Sequence, residues 1–254
     1  KINEINILNI DSKNKKIFSK ISEQSNKYIE ESFNQFFMLS KMSKEKFVLI
    51  NGPVSKKTFL KKKHLGITEY LAKKTQSKNE LMLIYNSKLS VSPLTTHLPL
   101  KFVTKKIDKE KIIKNVIKIN NFYKHTLRRE AKFAVLGLNP HCETIDSFSE
   151  EENIIIPAIK ILKKKKISIK GPFSADTFFI QKNMVKFNIV IGMYHDQVLI
   201  PIKTLFNFNA INLTLGLPFL RISPDHGPNN IMLGKNISDP KSFFYAMNFI
   251  NKIY

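Results

Sequence analysis

The sequence predicts an α/β protein with a largely parallel sheet, and three features of the chain support this class. Short apolar runs, typical of buried strands, alternate with longer stretches in which apolar residues recur at helical spacing. The 254 residues are 43% hydrophobic, enough to bury a substantial core in one large domain or two modest ones. Groups of polar residues directly follow several of the predicted strands, where open α/β sheets bind their ligands.

The predicted elements alternate from the N-terminus onward. In order, they are a helix over about 18–41, a strand over 47–50, strands over 81–85 and 88–91, a helix over 108–126, a strand over 133–136, a helix from 149, strands over 189–191 and 210–215, and a helix from 239. Ser149 and Glu152 form a capping box, and Pro157 is expected to bend or delay the turns that follow. Pro240 stands in the first helical position after Asp239, a favoured helix start.

The charge of +22 suggests a nucleic-acid partner, but its composition argues against one. Of the 42 basic residues 39 are lysine, and no nucleic-acid recognition motif accompanies them. We therefore expect no nucleic-acid partner, although a basic surface would attract anionic substrates. No stretch reaches the roughly 18 apolar residues of a membrane span. Cys142, the single cysteine, excludes an internal disulfide framework and is typical of a reducing, cytoplasmic setting.

Three histidines follow predicted strands within short polar segments. These segments are Thr95-Thr96-His97, Asn139-Pro140-His141 and Tyr194-His195-Asp196-Gln197. Histidines brought to one sheet edge could hold a divalent metal and leave positions open for substrate. The alternative is that each histidine is a structural residue with satisfied hydrogen bonds.

Constrained polar segments also surround Asp176, Asn212–Arg221 and Asp225–Gly227, and tight turns are the simpler interpretation of each. The sequence has no glycine-rich dinucleotide fingerprint and no phosphate-binding P-loop. Any nicotinamide cofactor must therefore bind in another way.

Five segments, in order from about residue 51 to the C-terminus, resemble one enzyme family. They are TTHLPL, GLNPHCE, GPFSADTFF, GMYHDQVLIPIK and NLTLGLPFLRISPDHG. These segments look like the successive signatures of the 4-hydroxythreonine-4-phosphate dehydrogenases of vitamin B6 synthesis. The resemblance implies two α/β/α domains like those of isocitrate and isopropylmalate dehydrogenases, one from residues 1–60 and 205–254 and one from 61–204 that carries the metal ligands. It also implies a homodimer whose active site is shared between subunits.

The resemblance assigns roles to individual residues. The implied metal ligands are His97, His141 and His195, the last supplied by the other subunit. The implied substrate-binding residues are Thr68, Asp176, Lys203, Asn212 and Arg221. The implied cofactor contacts are Asp225, His226 and Gly227.

The implied reaction is the NAD-dependent oxidation of 4-phosphohydroxy-L-threonine to a β-keto acid. That acid decarboxylates to 3-amino-2-oxopropyl phosphate. A divalent metal, which could be zinc, cobalt or magnesium, would lower the pKa of the substrate hydroxyl. The candidate catalytic groups are Asp176, Asp196 and Lys203, and either aspartate could be the general base. Lys203 and Arg221 are cations suited to phosphate or carboxylate, and NAD is expected without excluding NADP.

The chain departs from the family pattern in three places. Ile67 replaces a substrate-contacting histidine between Gly66 and Thr68, and Pro228-Asn229 replaces a Thr-Ala pair beside the cofactor segment. The family's N-terminal Gly-Glu-Pro-Ala-Gly-Ile-Gly motif has no counterpart, so a truncated or divergent member is expected. These departures keep two alternatives open. One is a dehydrogenase of a phosphorylated sugar acid, 4-phosphoerythronate or 4-phosphothreonate, and the other is a catalytically silent remnant.

Overall fold

The apolar runs of the sequence form strands, and the amphipathic stretches between them form helices. The computed structural model describes residues 6–12, 20–43, 45–61, 63–64, 66–207, 209–224 and 227–253. Its strands are β1 (Val48–Ile50), β2 (Leu81–Tyr85), β3 (Ser90–Thr95), β4 (Lys132–Leu136), β5 (Ser168–Phe173), β6 (Ile189–Tyr194), β7 (Ile211–Leu215) and β8 (Leu220–Pro224). Its α-helices are α1 (Asn26–Met42), α2 (Ile67–Lys74), α3 (Lys109–His125), α4 (Ile156–Lys164), α5 (Ala175–Phe178), α6 (Gln181–Met184), α7 (His195–Phe206) and α8 (Lys241–Ile253).

The described strands form one sheet in the order β1-β8-β7-β2-β3-β6-β4-β5. The pairs β1–β8, β3–β6, β6–β4 and β4–β5 are parallel, and the other three are antiparallel. The prediction of a largely parallel sheet is thus confirmed. The strands of the first predicted domain, β1, β8 and β7, lie together at one end of this sheet. The division into two domains itself stays a prediction.

Helices cover both faces of the sheet. Strand side chains alternate between the faces, so that Leu83 packs in one layer and Ile84 in the other. The first layer contains α3, α4 and α8, and the second contains α5 and α7. This α/β/α arrangement confirms the predicted class. Among the residues that the structure describes, no helix is both long enough and apolar enough to cross a bilayer.

The predicted helix from Ser149 begins irregularly, as its proline suggests. The Ser149 hydroxyl accepts a hydrogen bond from the backbone N–H of Glu152 at 3.2 Å, which is half of the predicted capping box. Residues Glu151–Ile155 form a π-helical turn, and regular α-helix starts only at Ile156. Pro157, in the first turn of α4, has no N–H to donate, so the delay that we predict is confirmed.

Several elements depart from the sequence predictions. The first helix starts at Asn26 rather than near residue 18, and residues 13–19 lie outside the described part. Strand β5 contains Gly171-Pro172, which favours a turn in the sequence, and it lies at the sheet edge, where proline is tolerated. Helix α7 is absent from the sequence prediction. It contains Pro201, and the apolar residues of β6 directly before it obscure its helical periodicity.

Candidate functional site

Three neighbouring parallel strands carry the three histidines to one edge of the sheet. Strands β3, β6 and β4 lie side by side and run in the same direction. His97 follows β3, His141 lies in a 3₁₀ turn after β4, and His195 is the first residue of α7 after β6. The carboxyl ends of these three strands therefore present all three histidine side chains at the edge where α/β sheets bind ligands.

Two of the histidines are close together within a single chain. The ring centroids of His97 and His195 are 5.9 Å apart. The Nδ1 atom of His195 lies 2.6 Å from Oδ1 of Asp196, a hydrogen bond that can fix the orientation of the ring. The Lys56 ammonium donates to Nε2 of His97 at 3.1 Å, so Lys56 stands beside the nitrogen that would face a ligand.

His141 forms a separate pair with Asp176. The two side chains approach to 3.9 Å between Nδ1 and Oδ2, and the His141 side chain is 72% exposed. His141 has a φ of 55°, in the left-handed region, which turns the backbone sharply after β4. The Ser174 hydroxyl donates to Asp176 at 2.5 Å and lowers the pKa of that carboxyl below its ordinary value. Asp176 is therefore ionised near neutral pH and able to accept a proton.

A buried cation forms the second part of the site. Arg221 in β8 is 4% exposed, and its Nε donates to Oδ1 of Asn51, at the end of β1, at 2.7 Å. Its Nη1 donates to the hydroxyl of Thr214 at 3.1 Å and to that of Thr68 at 3.5 Å. Burial lowers the pKa of Arg221 to about 10, so the guanidinium remains charged at neutral pH. Among the described residues, no carboxylate forms an ion pair with Arg221.

Glu69 connects the two parts. It lies on α2 one residue after Thr68, and its Oε1 is 3.6 Å from Nδ1 of His97. Burial raises the pKa of Glu69, but the adjacent His97 imidazole and the Lys56 charge outweigh that effect and leave this pKa below its ordinary value. A Cβ on Gly66 would lie 2.8 Å from Oε2 of Glu69 and 3.2 Å from Cε1 of His97, so this close approach requires glycine. Among the described residues, the buried Oε2 of Glu69 has no hydrogen-bond partner, and Nδ1 of His97 stands just beyond hydrogen-bond distance of Oε1.

Other predicted site residues lie around these two parts. Asn212 lies in β7, and its buried Oδ1 has no hydrogen-bond partner in the described part of the chain. Lys203 lies half-buried on α7, two turns after His195. Gly227 is exposed, whereas Asp225 and His226 lie outside the described residues. The roles of these residues in substrate and cofactor binding stay predictions.

Ile67 does not lie where the family resemblance suggests. We expect it in a loop facing the substrate, yet it is the first residue of α2 and only 9% exposed. Its side chain belongs to an apolar cluster with Phe33, Tyr70 and Leu71. Its neighbour Thr68 points instead toward Arg221.

Sequence reasoning missed Asn51 and Lys56, although one rule could have found them. Both lie in the segment that follows β1, and polar residues after a strand are the signal that selects the histidines. The segment Asn51-Gly52-Pro53 reads as an ordinary loop because it contains glycine and proline. Its functional importance depends on the pairing of β1 with β8, which brings Asn51 to Arg221.

The described residues assemble two of the three proposed metal ligands. They contain no group of three His, Cys, Asp or Glu side chains close enough together to hold a metal. His97 and His195 suit a borderline-soft ion such as zinc or cobalt, whereas magnesium prefers oxygen ligands.

Comparison with known proteins identifies related chains. Residues 1–250 match the family model of the pyridoxal phosphate biosynthetic protein PdxA. A 4-hydroxythreonine-4-phosphate dehydrogenase of Sulfurihydrogenibium sp. is 44% identical over 81% of this chain and 65% of its own length. A D-threonate 4-phosphate dehydrogenase of Pectobacterium atrosepticum is 34% identical over 73% of this chain and 58% of its own length. The chain therefore spans less than two thirds of the length of these relatives.

Several solved structures also resemble this chain in fold. The crystal structure of a 4-hydroxythreonine-4-phosphate dehydrogenase from Klebsiella pneumoniae matches with a TM-score of 0.77 and 26% identity. The match covers 92% of this chain and 73% of the other. An isocitrate dehydrogenase from Methylococcus capsulatus matches with a TM-score of 0.54 at 10% identity, over 90% of this chain and 75% of that one. The second match concerns the fold alone and confirms the predicted isocitrate dehydrogenase-like architecture.

Proposed function

Because the chain belongs to the family of the pyridoxal phosphate biosynthetic protein PdxA, we propose that it is a metal-dependent dehydrogenase of 4-phosphohydroxy-L-threonine that uses NAD. The product is a β-keto acid, which loses carbon dioxide to give 3-amino-2-oxopropyl phosphate. The observation that carries this proposal is that Glu69 links the buried cation, Arg221, to the histidine edge. The histidine edge is the edge of the sheet that carries His97, His141 and His195.

The Arg221 pocket, formed by Arg221, Thr68 and Thr214, supports binding of the substrate phosphate. Arg221, Thr68 and Thr214 can donate toward one anion, and charge-assisted hydrogen bonds are roughly twice as strong as neutral ones. Thr68 also lies at the start of α2, where free backbone N–H groups and the helix dipole favour negative charge. The phosphate would thus bind in a pocket that is already formed.

The histidine edge supports the reacting end of the substrate. A substrate with its phosphate at Arg221 would extend toward His97, because Glu69 follows Thr68 on α2 and approaches the His97 ring. A divalent metal held by the three histidines of this edge would supply a Lewis acid that acidifies the substrate hydroxyl, and NAD would accept the hydride. Asp176 and Asp196 are each able to take the hydroxyl proton as general base. The lowered pKa of Asp176 supports its ionised form near neutral pH.

A homodimer belongs to the same proposal. Helix α7 begins at His195 and exposes 63% of Ile200 and 41% of Leu205, an apolar surface suited to a subunit contact. The exposed His141 would be completed by groups outside its own chain. In this arrangement His195 serves either its own site or that of the other subunit. The ring contact with His97 favours its own site.

A second candidate is the oxidation of D-threonate 4-phosphate, the substrate in the name of the Pectobacterium relative. The specific observation in its favour is Ile67, which replaces a histidine of the 4-hydroxythreonine-4-phosphate enzymes. Its burial among apolar residues removes that side chain from substrate contact. The two substrates share the phosphate and differ in the amino group, so the Arg221 pocket serves both.

The deciding experiment follows NADH absorbance with each substrate in turn, with zinc, cobalt or magnesium added to chelator-treated protein. We expect turnover with 4-phosphohydroxy-L-threonine at a higher kcat/KM than with D-threonate 4-phosphate. A reversed preference would assign the second function. A folded protein inactive with both substrates and all metals would contradict the proposal and indicate a silent remnant.

A further inference from the structure

The loop that carries His141 rests on a buried carboxylate. Glu151, in the π-helical turn before α4, is 1% exposed. Its Oε1 accepts hydrogen bonds from the backbone N–H groups of Leu138 at 2.7 Å and Asn139 at 2.9 Å. Its Oε2 accepts a third bond, from Nδ2 of Asn139, at 2.9 Å. These three bonds go to Leu138 and Asn139, which directly precede Pro140-His141, and the Ser149 hydroxyl donates a longer bond to Oε2 at 3.4 Å.

A buried charge in this position is not needed for packing. Removing a carboxylate from water is costly, and an apolar side chain of similar size would fill the space without that cost. The three donors outweigh the effect of burial and leave the pKa of Glu151 below its ordinary value. A Cβ at Gly137 would lie 2.6 Å from Sγ of Cys142 and 3.0 Å from Oε1 of Glu151, so glycine lets the end of β4 approach both side chains without displacing them. The end of β4 and the Glu151 carboxylate are therefore in close contact.

Gln197 ties the same strand end to the neighbouring histidine. It lies two residues after His195 and is 9% exposed. Its Nε2 donates to the carbonyl of Gly137 at 2.8 Å, and its Oε1 accepts from the N–H of Met193 at 2.7 Å. The ends of β4 and β6 are thus joined through one side-chain amide. This amide therefore links the segment that precedes His141 to the segment that precedes His195.

We propose that Glu151 is a positioning residue that fixes the His141 loop, and that Gln197 sets the distance of this loop from the turn that carries His195. The inference rests on the proposed function only for the role of His141. The loop contacts stand by themselves. Such supporting hydrogen bonds orient the groups that contact a metal or substrate, and their loss typically costs 10- to 100-fold in affinity or activity.

The test compares Glu151→Ala and Glu151→Gln with a control variant, Tyr123→Phe. The control removes another buried hydrogen bond, from the Tyr123 hydroxyl to Ser90, without touching the loop. Glu151→Gln keeps an oxygen for the two backbone donors but puts an amide NH₂ group in place of the oxygen that accepts from Nδ2 of Asn139 and from the Ser149 hydroxyl. It remains informative if Glu151→Ala fails to fold.

Three quantities are measured: amide hydrogen exchange at Leu138 and Asn139, the ring NMR signals of His141, and kcat with KM. In Glu151→Ala we expect exchange at both amides to accelerate at least tenfold, the His141 signals to broaden or shift, and kcat to fall about 10- to 100-fold. Glu151→Gln should give intermediate changes with KM little altered, and Tyr123→Phe should leave all three as in the wild type.

Loop exchange and His141 signals in Glu151→Ala that match those of Tyr123→Phe at equal global stability would overturn the inference. So would an unchanged kcat in an active enzyme. A wild-type protein without turnover would reject the proposed function instead, and the exchange and ring signals would still decide whether Glu151 holds the loop.

Discussion

The two parts of the site differ in how completely one chain builds them. Arg221 is almost fully buried and bonded to Asn51, Thr68 and Thr214, whereas the side chain of His141 is 72% exposed and 3.9 Å from the Asp176 carboxylate. A buried guanidinium must have its donors satisfied for the protein to fold, so its pocket is formed in advance. The exposed imidazole of His141 carries no such requirement. In the proposed function, folding therefore forms the anion pocket around Arg221, and a ligand or a second subunit completes the histidine edge.

The largest expected effect is at the histidine edge. Replacing His97, His141 or His195 by Ala should lower kcat/KM at least about 10³-fold, because a metal that stabilises developing charge supplies several kcal/mol. Circular dichroism should show an unchanged fold. His125→Ala, at the end of α3, is the control and should keep full activity. Activity that survives in any one of the three variants would remove that histidine from the ligand set.

The next effect is at the anion pocket. Arg221→Met keeps the bulk of the side chain and removes its charge, so the KM for the phosphorylated substrate should rise about 10- to 100-fold, the range expected for one charge-assisted hydrogen bond. Steady-state kinetics measure this change, with Lys252→Met as a control for the loss of a positive charge elsewhere. An unchanged KM would place the phosphate outside the Arg221 pocket.

A smaller effect is expected at Lys56, which lies beside His97 at the histidine edge. The Nε2 atom of His97 cannot accept from Lys56 and bind a metal at the same time. Lys56→Met should therefore tighten Co²⁺ binding about two- to fivefold, as expected for an exposed charge interaction, in a titration that follows cobalt absorbance. Lys57→Met, which removes the adjacent exposed lysine, should leave the affinity unchanged. Weaker Co²⁺ binding in Lys56→Met would mean that Lys56 supports the site rather than competes with the metal.

The smallest effect on substrate binding is expected at Ile67. Its side chain packs with Phe33 and Tyr70, so Ile67→His should change KM by less than about twofold while it destabilises the fold by about 1–3 kcal/mol through a buried polar group. Thermal unfolding and kinetics are measured together, with Ile67→Val as the conservative control. A KM that falls tenfold would show that position 67 reaches the substrate after all.

The features that could be predicted from the sequence are local ones, and those that were missed depend on contacts between distant parts of the chain. Strand ends are visible as apolar runs that stop at polar residues, so His97, His141 and His195 can be found from the sequence alone. Asn51 and Lys56 follow a strand too, but their contacts depend on β1 pairing with β8, about 170 residues away along the chain. Glu151 looks like an ordinary acidic residue of a first helical turn. Its importance arises from its hydrogen bonds to Leu138 and Asn139, which only the folded structure shows.

The most direct test of the pre-built anion pocket is calorimetric titration of inorganic phosphate into metal-stripped protein. We predict that phosphate binds with no metal present and that Arg221→Met abolishes binding, because the pocket is complete within the folded chain. Phosphate binding that appears only after a divalent metal is added, or that survives in Arg221→Met, would contradict this account.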